Sequence, residues 1–93
     1  MEIGQDAFCH CRDLVSADFP NLQKIDRTAF EGCISLTSIN CRNAISVGSR
    51  AFYGCEDLTE LTLYNATHVG NAAFEECYGL KSVSMYRQLS VTP

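Results

Sequence analysis

Apolar residues return along this chain in a fixed 22-residue frame. Ala-Phe pairs stand at Ala7-Phe8, Ala29-Phe30, Ala51-Phe52 and Ala73-Phe74, and the spacing never slips by an insertion or deletion. A branched aliphatic precedes each pair (Ile3, Ile25, Val47, Val69, and again Val91). Cys11, Cys33, Cys55 and Cys77 follow, then Leu14, Leu36, Leu58 and Leu80. The frame closes on Ala17, Ile39, Leu61 and Val83, with Phe19, Cys41, Leu63 and Met85 two residues later. A strict period in this range marks a solenoid, whose units cannot bury their own apolar faces and do so against their neighbours.

Within a frame, "LTELTL" (58–63) sets Leu61 and Leu63 two apart, the alternation that points successive side chains to opposite faces of a strand. One strand per coil predicts a parallel sheet with strands about 4.8 Å apart. "AFYGC" has no helical period beyond one turn, and 22 residues leave no room for a crossover helix. A short 3₁₀ or α turn is therefore expected on the opposite side. Gly4, Gly48 and Gly70 are expected at positive φ, with Asp26 tolerated in the same slot. Asn21, Asn43 and Asn65 recur just after the strand and read as turn residues whose amides satisfy nearby backbone.

Composition narrows the function. At 93 residues with 46% hydrophobic and 19% charged content, the chain reads as a single folded domain, 1–93, with repeats at about 3–24, 25–46, 47–68 and 69–90. Seven basic residues are scattered among eleven acidic ones for a net charge of −4, which argues against a nucleic-acid partner. No apolar run approaches the roughly 20 residues of a membrane helix, so no direct membrane insertion is expected. The opening "MEIGQDAF" enters the frame almost at once and carries no signal-peptide pattern. A chain in phase with its own repeat suggests a fragment of a longer array.

The pattern C-x-x-L-x-x-[AILV]-x-[FCLM], followed by [IV]-[GD]-x-x-A-F, resembles the BspA-like class of leucine-rich repeats from Ile3 to Val91. That resemblance implies a right-handed, mainly β leucine-rich-repeat solenoid, with a parallel concave sheet and short 3₁₀ or α turns on the convex side. It also implies a recognition surface for a protein ligand on a cell-surface or secreted protein. The chain departs from the pattern at the strand's end, where a common Pro survives only as Pro20, against Arg42, Tyr64 and Tyr86 in the other copies. The concave face implied by the resemblance carries Asp18, Asn40, Arg42, Glu60, Thr62, Tyr64, Ser84 and Tyr86 as binding candidates. Arg42, Tyr64 and Tyr86 would form a row, with Glu60 orienting Arg42. The alternative is a structural spacer. Neither end of the chain shows the polar cap solenoids carry, so self-association through uncapped coils is also expected.

Six cysteines invite a disulfide or zinc reading. Repeat phase argues against both for Cys11, Cys33, Cys55 and Cys77. Parallel rungs point their Cβ vectors the same way, and no C-x₂-C pair starts a tetrahedral cage. These four and Cys41 are expected to be buried, reduced and protected from alkylation. Cys9 has Glu31, Tyr53 and Glu75 as its counterparts and is expected at the surface, freely reactive beside His10. A catalytic Cys-His pair lacks a recurring acidic partner, and no phosphate loop, carboxylate dyad or triad order is present, so no enzyme, cofactor or metal is expected. Asn65-Ala66-Thr67 forms a weak glycosylation sequon.

Overall fold

The alternation in each frame becomes a strand of three residues. The computed structural model describes residues 2–80 and the backbone of 82–84. The strands run β1 (Glu2–Ile3), β2 (Ser16–Asp18), β3 (Lys24–Ile25), β4 (Ser38–Asn40), β5 (Ser46–Val47), β6 (Glu60–Thr62), β7 (His68–Val69) and β8 (Ser82–Ser84). They form two parallel sheets, β2-β4-β6-β8 and β1-β3-β5-β7. The second sheet follows from the Ile/Val column of the frame. Pairing holds one register throughout, Ala17 to Ile39 to Leu61 to Val83 and Ile3 to Ile25 to Val47 to Val69.

Constant register stacks like on like. Phe30 and Phe52 are fully buried with parallel rings 5.2 Å apart; Phe8 stacks on Phe30 at the same spacing and Phe74 on Phe52 at 5.9 Å. Each buried ring is worth about 1.5–3 kcal/mol from its area, and ring pairing adds about 0.5–1.5 kcal/mol. Leu36, Leu58, Ile39 and Leu61 complete the interior beneath the strands, with Leu22, Leu63 and Cys41 beside them. In the first coil Phe8, Leu14, Ala17 and Phe19 are only half-buried, because they pack against a neighbour on one side.

The side opposite the strands carries the expected short turns, closed by i→i+3 bonds, and departs from the sequence expectation in where the left-handed residues fall. Three separate i→i+3 bonds cross each turn, in the third coil Ala51 N to Gly48 O, Tyr53 N to Arg50 O and Cys55 N to Phe52 O. Left-handed residues interrupt them, so no 3₁₀ or α helix forms among the described residues. The backbone instead turns outward to the next coil, with Phe30 N on Ala51 O at 2.8 Å and Gly32 N on Tyr53 O at 2.8 Å. The positive φ values fall elsewhere than at Gly4, Gly48, Gly70 and Asp26. They lie two residues on, at Asp6, Thr28, Arg50 and Ala72, and six on, at His10, Gly32, Gly54 and Glu76. Thr28, a β-branched residue at φ 56°, is held there while its hydroxyl donates to Asp6.

Close approach, not backbone handedness, is what requires glycine at positions 48 and 70. A Cβ on Gly70 would stand 2.4 Å from the backbone nitrogen of Ser49, whereas one on Gly4 would meet nothing within 4 Å. Gly70→Ala is therefore expected to cost about 1–3 kcal/mol in urea unfolding. Gly4→Ala should change stability by less than about 0.5 kcal/mol. Equal effects at the two positions would show that packing between coils does not set the residue.

Candidate functional site

The face of β2, β4 and β6 carries an open groove of about 350 Å³ lined by Ser16, Ala17, Asp18, Ser38, Ile39, Asn40, Glu60 and Thr62. The register places Ser16, Ser38 and Glu60 in one row and Asp18, Asn40 and Thr62 in another. Asn40 donates its amide to Asp18 at 2.8 Å, and its oxygen accepts from the Arg42 backbone at 3.3 Å. That fixes the amide's orientation and ties two coils together at the surface. The lining includes two carboxylates and no cation.

Four sequence candidates, Asp18, Asn40, Glu60 and Thr62, thus meet in one groove. The rest separate from it. Arg42 is exposed and Tyr64 half-buried, and both stand in the turn past the three-residue strand instead of on it. Strand pairing sets the Ser84 backbone beside Thr62, while the Ser84 side chain and Tyr86 lie outside the described residues. Glu60 does not orient Arg42. Among the described residues the ion pair is Arg50 with Glu31 at 2.8 Å. Register explains this, since Arg42 is four residues along from the row that Glu60 occupies, about 13 Å at strand rise. The Asn turn residues reach across coils, with Asn43 donating to Pro20 O at 2.6 Å and Asn65 to Asn43 Oδ1 at 3.1 Å. The sequon nitrogen of Asn65 is therefore engaged in a ladder.

A second constellation stands on the turn side. Cys9, His10 and Glu31 bring a sulfur, an imidazole nitrogen and a carboxylate oxygen within 4.8 Å of one another, with Cys9 Sγ 3.9 Å from Glu31 Oε2. The acidic neighbour of the Cys-His pair comes from the equivalent slot one coil on. Cys9 is half-buried instead of fully at the surface, and its thiol is pushed up by burial and by the carboxylates of Glu31 and Asp6. An activated nucleophile needs the opposite shift.

A family model described as BspA type leucine rich repeat region (6 copies) matches residues 1–92. The chain belongs to this leucine-rich repeat family. It writes the 22-residue frame four times. The search of curated proteins and the search of solved structures each returned no match. Among the described residues no helix is long and apolar enough to cross a membrane.

The cysteine column of these BspA-type repeats is a hydrogen-bonded ladder. All six cysteines are free thiols. Cys33, Cys55 and Cys77 donate to the Phe8, Phe30 and Phe52 carbonyls of the preceding coil at 3.0, 3.1 and 3.0 Å. Cys33, Cys41 and Cys55 are fully buried, while Cys11 and Cys77, in the first and fourth coils, are half-buried and less shielded than the sequence suggests. Burial pushes the Cys41 thiol from the usual 9.0 to about 12, and that of Cys77 to about 11.

A thiol whose pKa is higher in the folded protein stabilises it fully below the unfolded value and stops doing so as pH rises through the folded one. Stability should hold up to about pH 9 and then fall toward pH 12, by up to about 1.4 kcal/mol per pH unit for each such thiol. Urea titrations of the reduced protein at stepped pH check this. Cys41→Ala should flatten the decline, and an unchanged slope would refute the assignment to Cys41.

Proposed function

We propose that this leucine-rich repeat is a non-catalytic protein-recognition module working through the groove on its three-residue strands, carried by a surface or secreted protein as the family suggests. The observation that carries the reading is the groove itself, open, polar and spread over three coils. Small-molecule sites are concave and mostly apolar, enclosing most of their ligand. A shallow lining of hydroxyls, one amide and two carboxylates instead suits an extended segment that presents lysine, arginine or backbone donors. Tyr64, in the turn two residues past Thr62, supplies the aromatic area that carries binding energy at interfaces.

A partner captured from native surroundings and measured by calorimetry tests this. Asp18→Ala, Glu60→Ala and Tyr64→Ala should each weaken binding by about 1–3 kcal/mol with the circular dichroism unchanged. Arg27→Ala and Glu75→Ala, on the turn side, should change it by less than about 0.5 kcal/mol. Loss of binding in the turn-side pair alone would overturn the assignment to the groove.

One observation favours the second reading, a spacer that associates through its coils. Val15, Ile34, Ile45 and Tyr78 are exposed, which puts apolar area on three coils outside the groove. Exposed apolar patches mark association surfaces. Sedimentation across a wide concentration range decides it, with association growing with concentration if this reading holds and a concentration-independent monomer if it fails.

A further inference from the structure

We propose that Cys9, His10 and Glu31 form a binding site for a divalent transition-metal ion of the zinc class, with a fourth position open to solvent. Sulfur, imidazole and carboxylate are the three ligand types zinc takes, at about 2.0–2.3 Å from the metal. Ligand atoms already within 4.8 Å of one another need only about an ångström of side-chain movement to close on a common centre.

Several features make this a built arrangement. Hydrogen bonds pin the backbone of each contributor, Cys9 N to Asp6 O at 3.1 Å, His10 N to Glu31 O at 2.7 Å and Glu31 N to Thr28 O at 3.1 Å. Gly32 clears the space for the imidazole, since a Cβ there would stand 2.3 Å from His10 Nδ1. Arg50 holds Glu31 Oε1 at 2.8 Å and is itself stacked 4.0 Å over the Tyr53 ring, which leaves Oε2 facing Cys9. A hydrogen-bonded partner that orients a ligating carboxylate is a regular part of metal sites. Elsewhere the paired slots read Tyr53-Gly54 and Glu75-Glu76, so among the described residues this is the one place where three such ligands converge.

Binding replaces the Cys9 S–H bond by a sulfur–metal bond and releases that proton to solvent, with no change in oxidation state. The full reduced chain, stripped with chelator, is titrated with Zn²⁺ by calorimetry in two buffers of different ionisation enthalpy, and with Co²⁺ by absorbance. The expected result is one ion per chain, a thiolate-to-cobalt charge-transfer band, and proton release on binding. Cys9→Ser should abolish the band, and Cys9→Ser and Glu31→Gln should each raise Kd at least tenfold, while His68→Ala leaves it unchanged. If apo Cys9→Ser does not match the wild-type melting profile, Glu31→Gln and His10→Ala carry the comparison. One ion per two chains, no charge-transfer band, or a Kd indifferent to these changes would overturn the proposal.

Discussion

Everything in this molecule depends on each coil handing its backbone hydrogen bonds to the next in one register. A 22-residue coil has strands of two and three residues and cannot pair with itself. Its N–H groups therefore find carbonyls 21 to 23 positions away in either direction, in the turns as well as the strands, as Thr37 N finds Val15 O one coil back and Phe8 N finds Ala29 O one coil on. Orphaned backbone groups in the interior would each cost about 1–3 kcal/mol, so a slip of one residue would be costly along the whole array. A slip would also turn every apolar strand residue to the wrong face. Register is thus fixed twice over.

Fixed register converts a sequence column into a physical ladder, and the chemistry of each column follows. Stacked rings suit the Phe slot because a parallel neighbour always arrives at about the same distance. The adjoining cysteine slot needs a small apolar group that can also donate one hydrogen bond to the Phe carbonyl of the preceding coil. A thiol meets both needs. The same geometry that makes Cys33, Cys55 and Cys77 good donors occupies their sulfurs with carbonyl oxygens instead of with each other. Thr37 and Thr59 repeat the principle at the surface, each hydroxyl reaching a carbonyl one coil back.

What could be read from the sequence was whatever the frame repeats. The strand positions and the Phe and Cys columns follow from phase and alternation, and the family resemblance adds the face that carries Asp18, Asn40, Glu60 and Thr62. Backbone handedness was less legible. Glycine at 48 and 70 serves close approach, while the left-handed positions are filled by Thr28, Arg50 and Ala72, residue types that give no composition signal. Alternation alone extends the strands through Arg42 and Tyr64, because it does not mark that pairing stops at Asn40 and Thr62. Phase aligns Glu31 to the Cys9 slot without showing that the two side chains touch. A repeat directs attention to what recurs, and this contact joins two different chemistries in one column.

That last point separates the two faces of the molecule. In a solenoid each coil contacts only its neighbours, so an outward substitution is felt one coil away and no further. The strand face obeys this, with Asn40 and Asp18 linked pairwise. The turn side carries a longer connection, from Cys9 to Glu31, to Arg50, to the Tyr53 ring beneath it, and from the Tyr53 hydroxyl to Glu76. It crosses all four coils through side chains alone. Charge alternates along part of it, and removing the Arg50 cation would leave Glu31 Oε1 without its partner while Oε2 still faces Cys9. The outer polar row is therefore linked by side chains across four coils, whereas on the strand face the Asn40–Asp18 bond joins two.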